Sequence, residues 1–198
     1  MAVSIDDIKK LKELTGVGLT DAKAALVDAD GDFDKALDAM RKKGLTKAEK
    51  KADREALEGV IDSYVHGGRI GVLVEVNCET DFVARTDGFK EFAHLIALQV
   101  ASMAPVYVSE ADIPAEEVAR VRAEAEASGA ADGKPAEIAA KIIDGQVSKY
   151  FADKVLLNQQ YIMDDSMTVG TFLKENIGKT GENIVIRQFK RIELGVSE

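Results

Sequence analysis

The stretch Glu75-Val-Asn-Cys-Glu-Thr-Asp-Phe-Val-Ala-Arg-Thr-Asp-Gly-Phe89 marks the end of a strand and the start of a helix. The residues leading into it, 69–77, are apolar and β-branched, as expected for a buried strand. Thr80 is a favourable N-cap, and apolar residues follow it at helical spacing. The pattern places Asp81 and Phe82 in the first helical turn, at a corner that a partner can reach. On pattern alone, the alternative is that Asp81 complements the helix dipole and Phe82 belongs to the core.

Residues 1–44 show three short amphipathic helical patterns. The turn at 15–18 follows the first, and either of its glycines is free to adopt positive φ. Thr20 is expected to cap the second helix and Asp32 the third, and Gly44 is expected to end the third. Three such helices around a glycine turn resemble the ubiquitin-associated domain. We therefore predict a three-helix, ubiquitin-associated-like bundle over 1–44.

The hydrophobic period changes after a basic connector at 45–55. Two apolar, β-branched runs flank Gly67-Gly68, which indicates an antiparallel hairpin. The helix that begins at Thr80 is predicted to continue to Met103. The remaining segments are predicted to be a short strand, two helical regions, a strand, a helix and a final strand, at 106–109, 114–128, 134–158, 160–163, 169–177 and 182–194. This order predicts an α+β core domain over 56–198, with a mainly antiparallel sheet covered by helices.

The charge of the chain argues against nucleic acid as its main ligand. The net charge is −9, whereas phosphate contacts need clustered cations. The exception is the run 41–54, which holds seven basic and two acidic residues. It has no aromatic residue on which a base could stack, and its Ala and Lys content favours a solvated helical connector over an RNA-binding patch. We therefore expect no direct contact with nucleic acid.

Two further features bear on the compartment. No apolar stretch approaches the length that spans a membrane, and the first residues lack the basic and apolar segments of a signal peptide. Cys78 is the single cysteine and cannot form an internal disulfide. We therefore expect a cytoplasmic protein without membrane contact.

Two motifs that suggest ligand sites fail on their spacing. The alternating Asp residues at 28–34 begin like a calcium loop, but the glycine comes too early and Ala39 stands where the loop needs Glu. Residues 178–180 resemble the end of a phosphate-binding loop, but Leu173 stands where that loop needs glycine. No nucleophile, base and orienting group can be assembled either. We therefore expect no cofactor, no metal site and no catalytic residue.

Three segments resemble signatures of the elongation factor Ts family, which promotes guanine-nucleotide exchange on elongation factor Tu. They are the quoted stretch 75–89, the N-terminal segment 11–26 and the C-terminal segment 181–187, in family order. The chain is therefore identified as similar to a short member of that family. The resemblance implies a translation elongation factor that binds elongation factor Tu carrying GDP, displaces Mg²⁺ and promotes GDP release, so that GTP can bind. It implies a factor that acts by binding and not an enzyme that makes bonds.

The resemblance also implies two groups of contact residues. The first would press into the GTPase domain of the partner beside its Mg²⁺ site, with Phe82 as an apolar wedge: Thr80, Asp81, Phe82 and Val83. The second would dock on the same domain from another side: Lys12, Leu19, Thr20 and Lys23. The family often has methionines where this chain has Leu19-Thr20, and ordinary helix packing is the alternative role for the second group.

A different class of function remains open at this stage. The three-helix bundle alone is also typical of a passive binding module for a ribosomal or ubiquitin-like surface, here joined to an α+β domain. Acceleration of GDP release from elongation factor Tu would distinguish the two.

The length of the core domain bears on its oligomeric state. Longer family members resemble two related α+β halves, whereas 56–198 leaves room for one. The last strand is predicted to be apolar on both faces, with Ile184 and Ile186 on one and Val185 and Phe189 on the other. We therefore predict a homodimer. The alternative is that the helices of 134–158 cover the exposed surface within one chain.

Overall fold

The structure is a computed structural model and describes residues 3–15 and 17–196. Its α-helices are α1 (Ile5–Thr15), α2 (Leu19–Asp28), α3 (Phe33–Glu49), α4 (Asp81–Ala84), α5 (Asp87–Met103), α6 (Ala115–Ala127), α7 (Ala136–Ala152) and α8 (Val169–Thr180). Its strands are β1 (Glu58–His66), β2 (Ile70–Cys78), β3 (Gln160–Tyr161), β4 (Asp164–Thr168) and β5 (Ile184–Glu193). The predicted α+β class is confirmed. No helix within the described residues is long and apolar enough to cross a membrane.

The predicted N-terminal helices are present and pack around their own small core, which consists of Leu11, Ala22, Ala25, Leu26, Ala36 and Met40. Asp32 caps α3 as expected, since its carboxylate accepts a hydrogen bond from the Lys35 backbone N–H at 3.1 Å. Thr20 does not cap α2, because the helix begins one residue earlier and Gly18 is its N-cap. Gly18 has a negative φ of −66°, and Gly16 lies outside the described residues.

The prediction that Gly44 ends the third helix is wrong, because α3 continues to Glu49. Gly44 lies where α3 crosses α8, so close that a Cβ on Gly178 would come 3.7 Å from the Gly44 Cα. Past the crossing, Ala48 is 2% exposed and belongs to the main core. This packing stabilises the last turns of α3 and overrides the low helix propensity of glycine. Part of the predicted connector is therefore helical, and the division at residue 44 stays a prediction.

The main sheet is antiparallel, with the strand order β1-β2-β5. β1 and β2 form the predicted hairpin, and both Gly67 and Gly68 have positive φ, as a two-residue turn of this kind requires. One face of β2 is buried under α5, and its buried residues are Val72, Val74, Val76 and Cys78. β3 and β4 form a separate small hairpin, of which the sequence predicted only the first strand.

A β-bulge in β5 corrects the predicted faces of this strand. Val76 pairs with Ile186 and Val74 pairs with Phe189, so Arg187 is the extra residue between two shifted registers. Because side chains alternate along a strand, one extra residue moves those beyond it to the opposite face. Phe189 therefore lies on the covered face with Ile184 and Ile186, and the prediction that it shares a face with Val185 is wrong.

The helix predicted from Thr80 to Met103 is two helices. α4 is a single turn that ends at Ala84, and α5 begins at Asp87. Thr86 interrupts the helix because its hydroxyl accepts a hydrogen bond from the Phe89 backbone N–H at 3.3 Å and so caps α5. The short strand predicted at 106–109 reduces to one parallel bridge between Tyr107 and Val155.

Candidate functional site

The candidate site is the corner between β2 and α4, formed by Thr80–Val83 and called the corner below. β2 ends at Cys78, and Thr80 has extended backbone angles of φ −129° and ψ 152°. The Thr80 hydroxyl accepts a hydrogen bond from the Val83 backbone N–H at 3.4 Å, which caps α4. The backbone therefore turns sharply from strand to helix within two residues. The capped turn fixes the directions of the side chains in the first turn of α4.

Phe82 projects from the corner into solvent. Its side chain is 81% exposed, so the interpretation that it belongs to the core is wrong. The same turn is anchored on its other side, because Ala84 is 5% exposed and Val83 packs against the main core. An aromatic ring in water contributes nothing to the hydrophobic core and presents a large apolar area to a partner.

Asp81 lies in the first turn of α4, where the helix dipole favours a negative charge. Its carboxylate forms an ion pair with Arg85 at 2.9 Å, and both side chains remain well exposed, at 44% and 78%. An ion pair this exposed contributes little to stability and exchanges readily for another partner. The corner therefore combines the apolar ring of Phe82 with the Asp81 carboxylate, whose ion pair with Arg85 is weak.

Cys78 lies directly beneath the corner and is fully buried. Burial raises the pKa of its thiol, and the negative charge of Glu182 adds to this shift. The thiol therefore stays protonated, and it donates a hydrogen bond to the Thr80 carbonyl at 3.2 Å. Its role here is to support the corner and not to react.

The second group of residues lies in the N-terminal helices, away from the corner in sequence. Lys12 is in the last turn of α1, and Leu19, Thr20 and Lys23 are in the first turns of α2. The four side chains are exposed, and Leu19 is 53% exposed. The buried positions of α2 are Ala22, Ala25 and Leu26, so packing within the bundle leaves the four predicted contact side chains accessible.

Two residues that the sequence analysis did not assign also support the corner. Glu182 and Asn183, between α8 and β5, form hydrogen bonds to Glu79 and Thr80. They belong to the C-terminal segment 181–187, one of the three segments that carry the family resemblance. That segment was the available signal, but the contact spans 102 residues of sequence and has no local pattern.

The outer face of the main sheet is a third surface. It carries four exposed apolar side chains, which are Ile61, Val65, Leu73 and Ile192, at 73%, 67%, 54% and 72% exposure. α7 packs against α6 instead, around Val121 and Phe151. The helices of 134–158 therefore leave these four side chains uncovered. We call the four residues the outer sheet patch.

Comparison with known proteins gives consistent matches along the chain. Residues 45–196 match the family model described as Elongation factor TS. A protein of Thermoanaerobacter sp. (strain X514) named Elongation factor Ts is 48% identical over 194 residues, which cover 98% of this chain and 95% of that protein. Its namesake in Coprothermobacter proteolyticus is 48% identical over 98% of this chain and 100% of its own length. Another, in Carboxydothermus hydrogenoformans, is 50% identical over 95% of this chain and 87% of its own length.

Proposed function

The chain belongs to the elongation factor Ts family, and we propose that it binds elongation factor Tu carrying GDP and accelerates GDP release, so that GTP can bind. The observation that carries this proposal is Phe82, an aromatic side chain held almost fully in solvent at a sharp, internally bonded corner. We propose the cytoplasm as the place of action, since translation elongation takes place there.

In the proposed mechanism the corner presses into the GTPase domain of the partner beside the Mg²⁺ site. GDP is held there by a phosphate loop and by Mg²⁺, and a small displacement of either one weakens GDP binding. Phe82 acts as an apolar wedge, and Asp81 leaves Arg85 to contact groups that otherwise support the metal. Once Mg²⁺ is lost, the diphosphate is poorly neutralised and GDP leaves. The factor acts by binding and forms no covalent bond.

Reciprocity governs the end of the cycle. If the factor weakens GDP binding by some ratio, GDP weakens binding of the factor by the same ratio. We propose that the same coupling holds for GTP, so that GTP binding displaces the factor, which is released unchanged.

We propose that Lys12, Leu19, Thr20 and Lys23 form a second contact with the same GTPase domain. Their exposure on one end of the bundle supports this assignment, as does the combination of two cations with an apolar side chain. Two separated contacts would fix the direction in which the corner approaches the partner.

We also propose that the protein forms a homodimer through the outer sheet patch. A cluster of exposed apolar side chains on a sheet face is typical of an interaction surface. Two-fold association of identical chains is the commonest way to bury such a face.

Release of fluorescent GDP from elongation factor Tu, followed by stopped flow with and without this protein, tests the proposed function. We expect the release rate to rise with protein concentration and then to saturate. An unchanged release rate, together with binding to elongation factor Tu or to another surface, would instead support the passive binding module.

A further inference from the structure

Two backbone N–H groups at the base of the corner need partners outside their own elements. Glu79 and Thr80 follow the last paired residue of β2 and precede α4, so neither the sheet ladder nor a helix supplies an acceptor. The Glu182 carboxylate supplies it. One of its oxygens accepts hydrogen bonds from the N–H of Glu79 at 3.2 Å and of Thr80 at 3.0 Å, and the other accepts one from the Thr80 hydroxyl at 2.6 Å.

The arrangement is reciprocal. The Asn183 N–H donates a hydrogen bond to the Glu79 carboxylate at 2.6 Å, and the Arg54 guanidinium lies 3.5 Å from the same oxygen. The Asn183 side chain is 2% exposed, and its amide donates to the carbonyls of Ala52, at 3.3 Å, and Arg54, at 2.7 Å. Three distant segments of the chain therefore meet beneath the corner.

The elements on both sides of Glu182 hold it in place. Gly181 ends α8 with a left-handed φ of 78°, and its carbonyl accepts a hydrogen bond from the Lys51 ammonium at 2.5 Å. Ile184 begins β5, paired with Cys78. A carboxylate fixed between a helix end and a strand start is a rigid support and not a mobile surface charge.

We propose that Glu182 is a positioning residue for nucleotide exchange, which holds Thr80 so that Phe82 projects in one direction. The Thr80 hydroxyl both donates to Glu182 and accepts from the Val83 N–H, so Glu182 orients the cap of the turn that carries Phe82. A wedge displaces its target only when its base is rigid, since small errors of placement lower rates steeply. This inference rests on the proposed function of the corner.

The test replaces Glu182 in the full-length protein and measures GDP release from elongation factor Tu at saturating factor. Glu182→Ala should lower the maximal release rate by about tenfold, the scale expected for losing hydrogen bonds to a charged group. The concentration for half-maximal effect should change less, because the N-terminal contact remains. Glu182→Gln keeps the side-chain length and one oxygen acceptor, so it should lose less and provides a folded variant if the alanine variant does not fold.

A double variant separates positioning from general stability. If Glu182 acts through Phe82, the Phe82→Ala/Glu182→Ala protein should release GDP no more slowly than Phe82→Ala alone. Fully additive losses would overturn the proposal, and so would a normal rate for both Glu182 variants. Glu126→Ala removes an exposed carboxylate on α6 and serves as the control for charge.

Amide exchange measured by nuclear magnetic resonance tests the contact independently of elongation factor Tu. The N–H groups of Glu79 and Thr80 should be protected in the wild type and lose protection in Glu182→Ala, while those of β2 keep it. If wild-type protein fails to accelerate GDP release, the proposed function fails. If the wild type is active, and Glu182→Ala loses this amide protection but accelerates GDP release at the wild-type rate, the positioning role alone is wrong.

Discussion

The exposure of Phe82 sets it apart from the neighbouring side chains of α4. The ring is 81% exposed, and its neighbours Val83 and Ala84 anchor the turn. Sequence spacing alone left Phe82 assigned either to the corner or to the core, because it continues the apolar periodicity of the following helix. In the structure Phe82 is outside the core, because the interruption at Thr86 divides the helix. α4 can therefore point Phe82 away from the apolar face that α5 buries.

The buried thiol of Cys78 gives a prediction about its reactivity. Because burial raises its pKa and covers its sulfur, we expect a thiol-specific disulfide reagent at pH 8 to react about a hundredfold or more slowly with the native protein than with the protein in denaturant. The reaction reports on this residue alone, as the chain has one cysteine. Equal rates in the two conditions would show that the corner opens freely in the native state.

Among the secondary-structure elements, local patterns predicted most of the sheet and its hairpin, and the errors have both long-range and local causes. An alternating apolar pattern cannot reveal the extra residue Arg187, because it assumes one constant pairing register along the strand. Gly44 normally ends a helix, but the crossing with α8 and the burial of Ala48 extend α3 past it. The β3–β4 hairpin was half missed because its second strand is short and polar.

The β1–β2 pair gives a prediction with an internal control. Gly59 has a φ of 153°, and a Cβ there would lie 2.1 Å from the Val76 carbonyl oxygen. Gly59→Ala should therefore lower the free energy of unfolding by about 3 kcal/mol, or roughly 6–12 °C in melting temperature. Gly71→Ala, on the neighbouring strand, meets no atom within 4 Å and should melt near the wild type. Thermal melts followed by circular dichroism compare the two, and similar melting temperatures for both variants would contradict the register described here.

At the scale of the whole molecule, α3 and α8 connect the N-terminal bundle to the core that carries the corner. The Gly44–Gly178 crossing and the bond from Lys51 to Gly181 lie between the two proposed contact surfaces. No sequence pattern predicts this connection, because each partner lies more than a hundred residues from the other. The outer sheet patch likewise became visible only when the sheet and its bulge were known.

Light scattering coupled to size exclusion tests the proposed dimer. Wild-type protein at micromolar concentration should show twice the chain mass of 21.3 kDa. Leu73→Glu places a charge on the central strand of the patch, opposite Lys190, and should give the mass of a single chain with little loss of melting temperature. Met163→Glu alters a side chain that is 66% exposed outside the patch and should remain dimeric. A single-chain mass for the wild type would end the proposal.

GDP release from elongation factor Tu with Phe82→Ala tests the proposed wedge. We expect release to slow by about thirtyfold, as for truncation of a buried interface aromatic, while the melting temperature stays within about 2 °C because the ring is exposed in the free protein. Met163→Ala removes another exposed apolar side chain and should release GDP at the wild-type rate. GDP release at the wild-type rate with Phe82→Ala would contradict the proposed role of Phe82, and so would a large fall in the melting temperature of this variant.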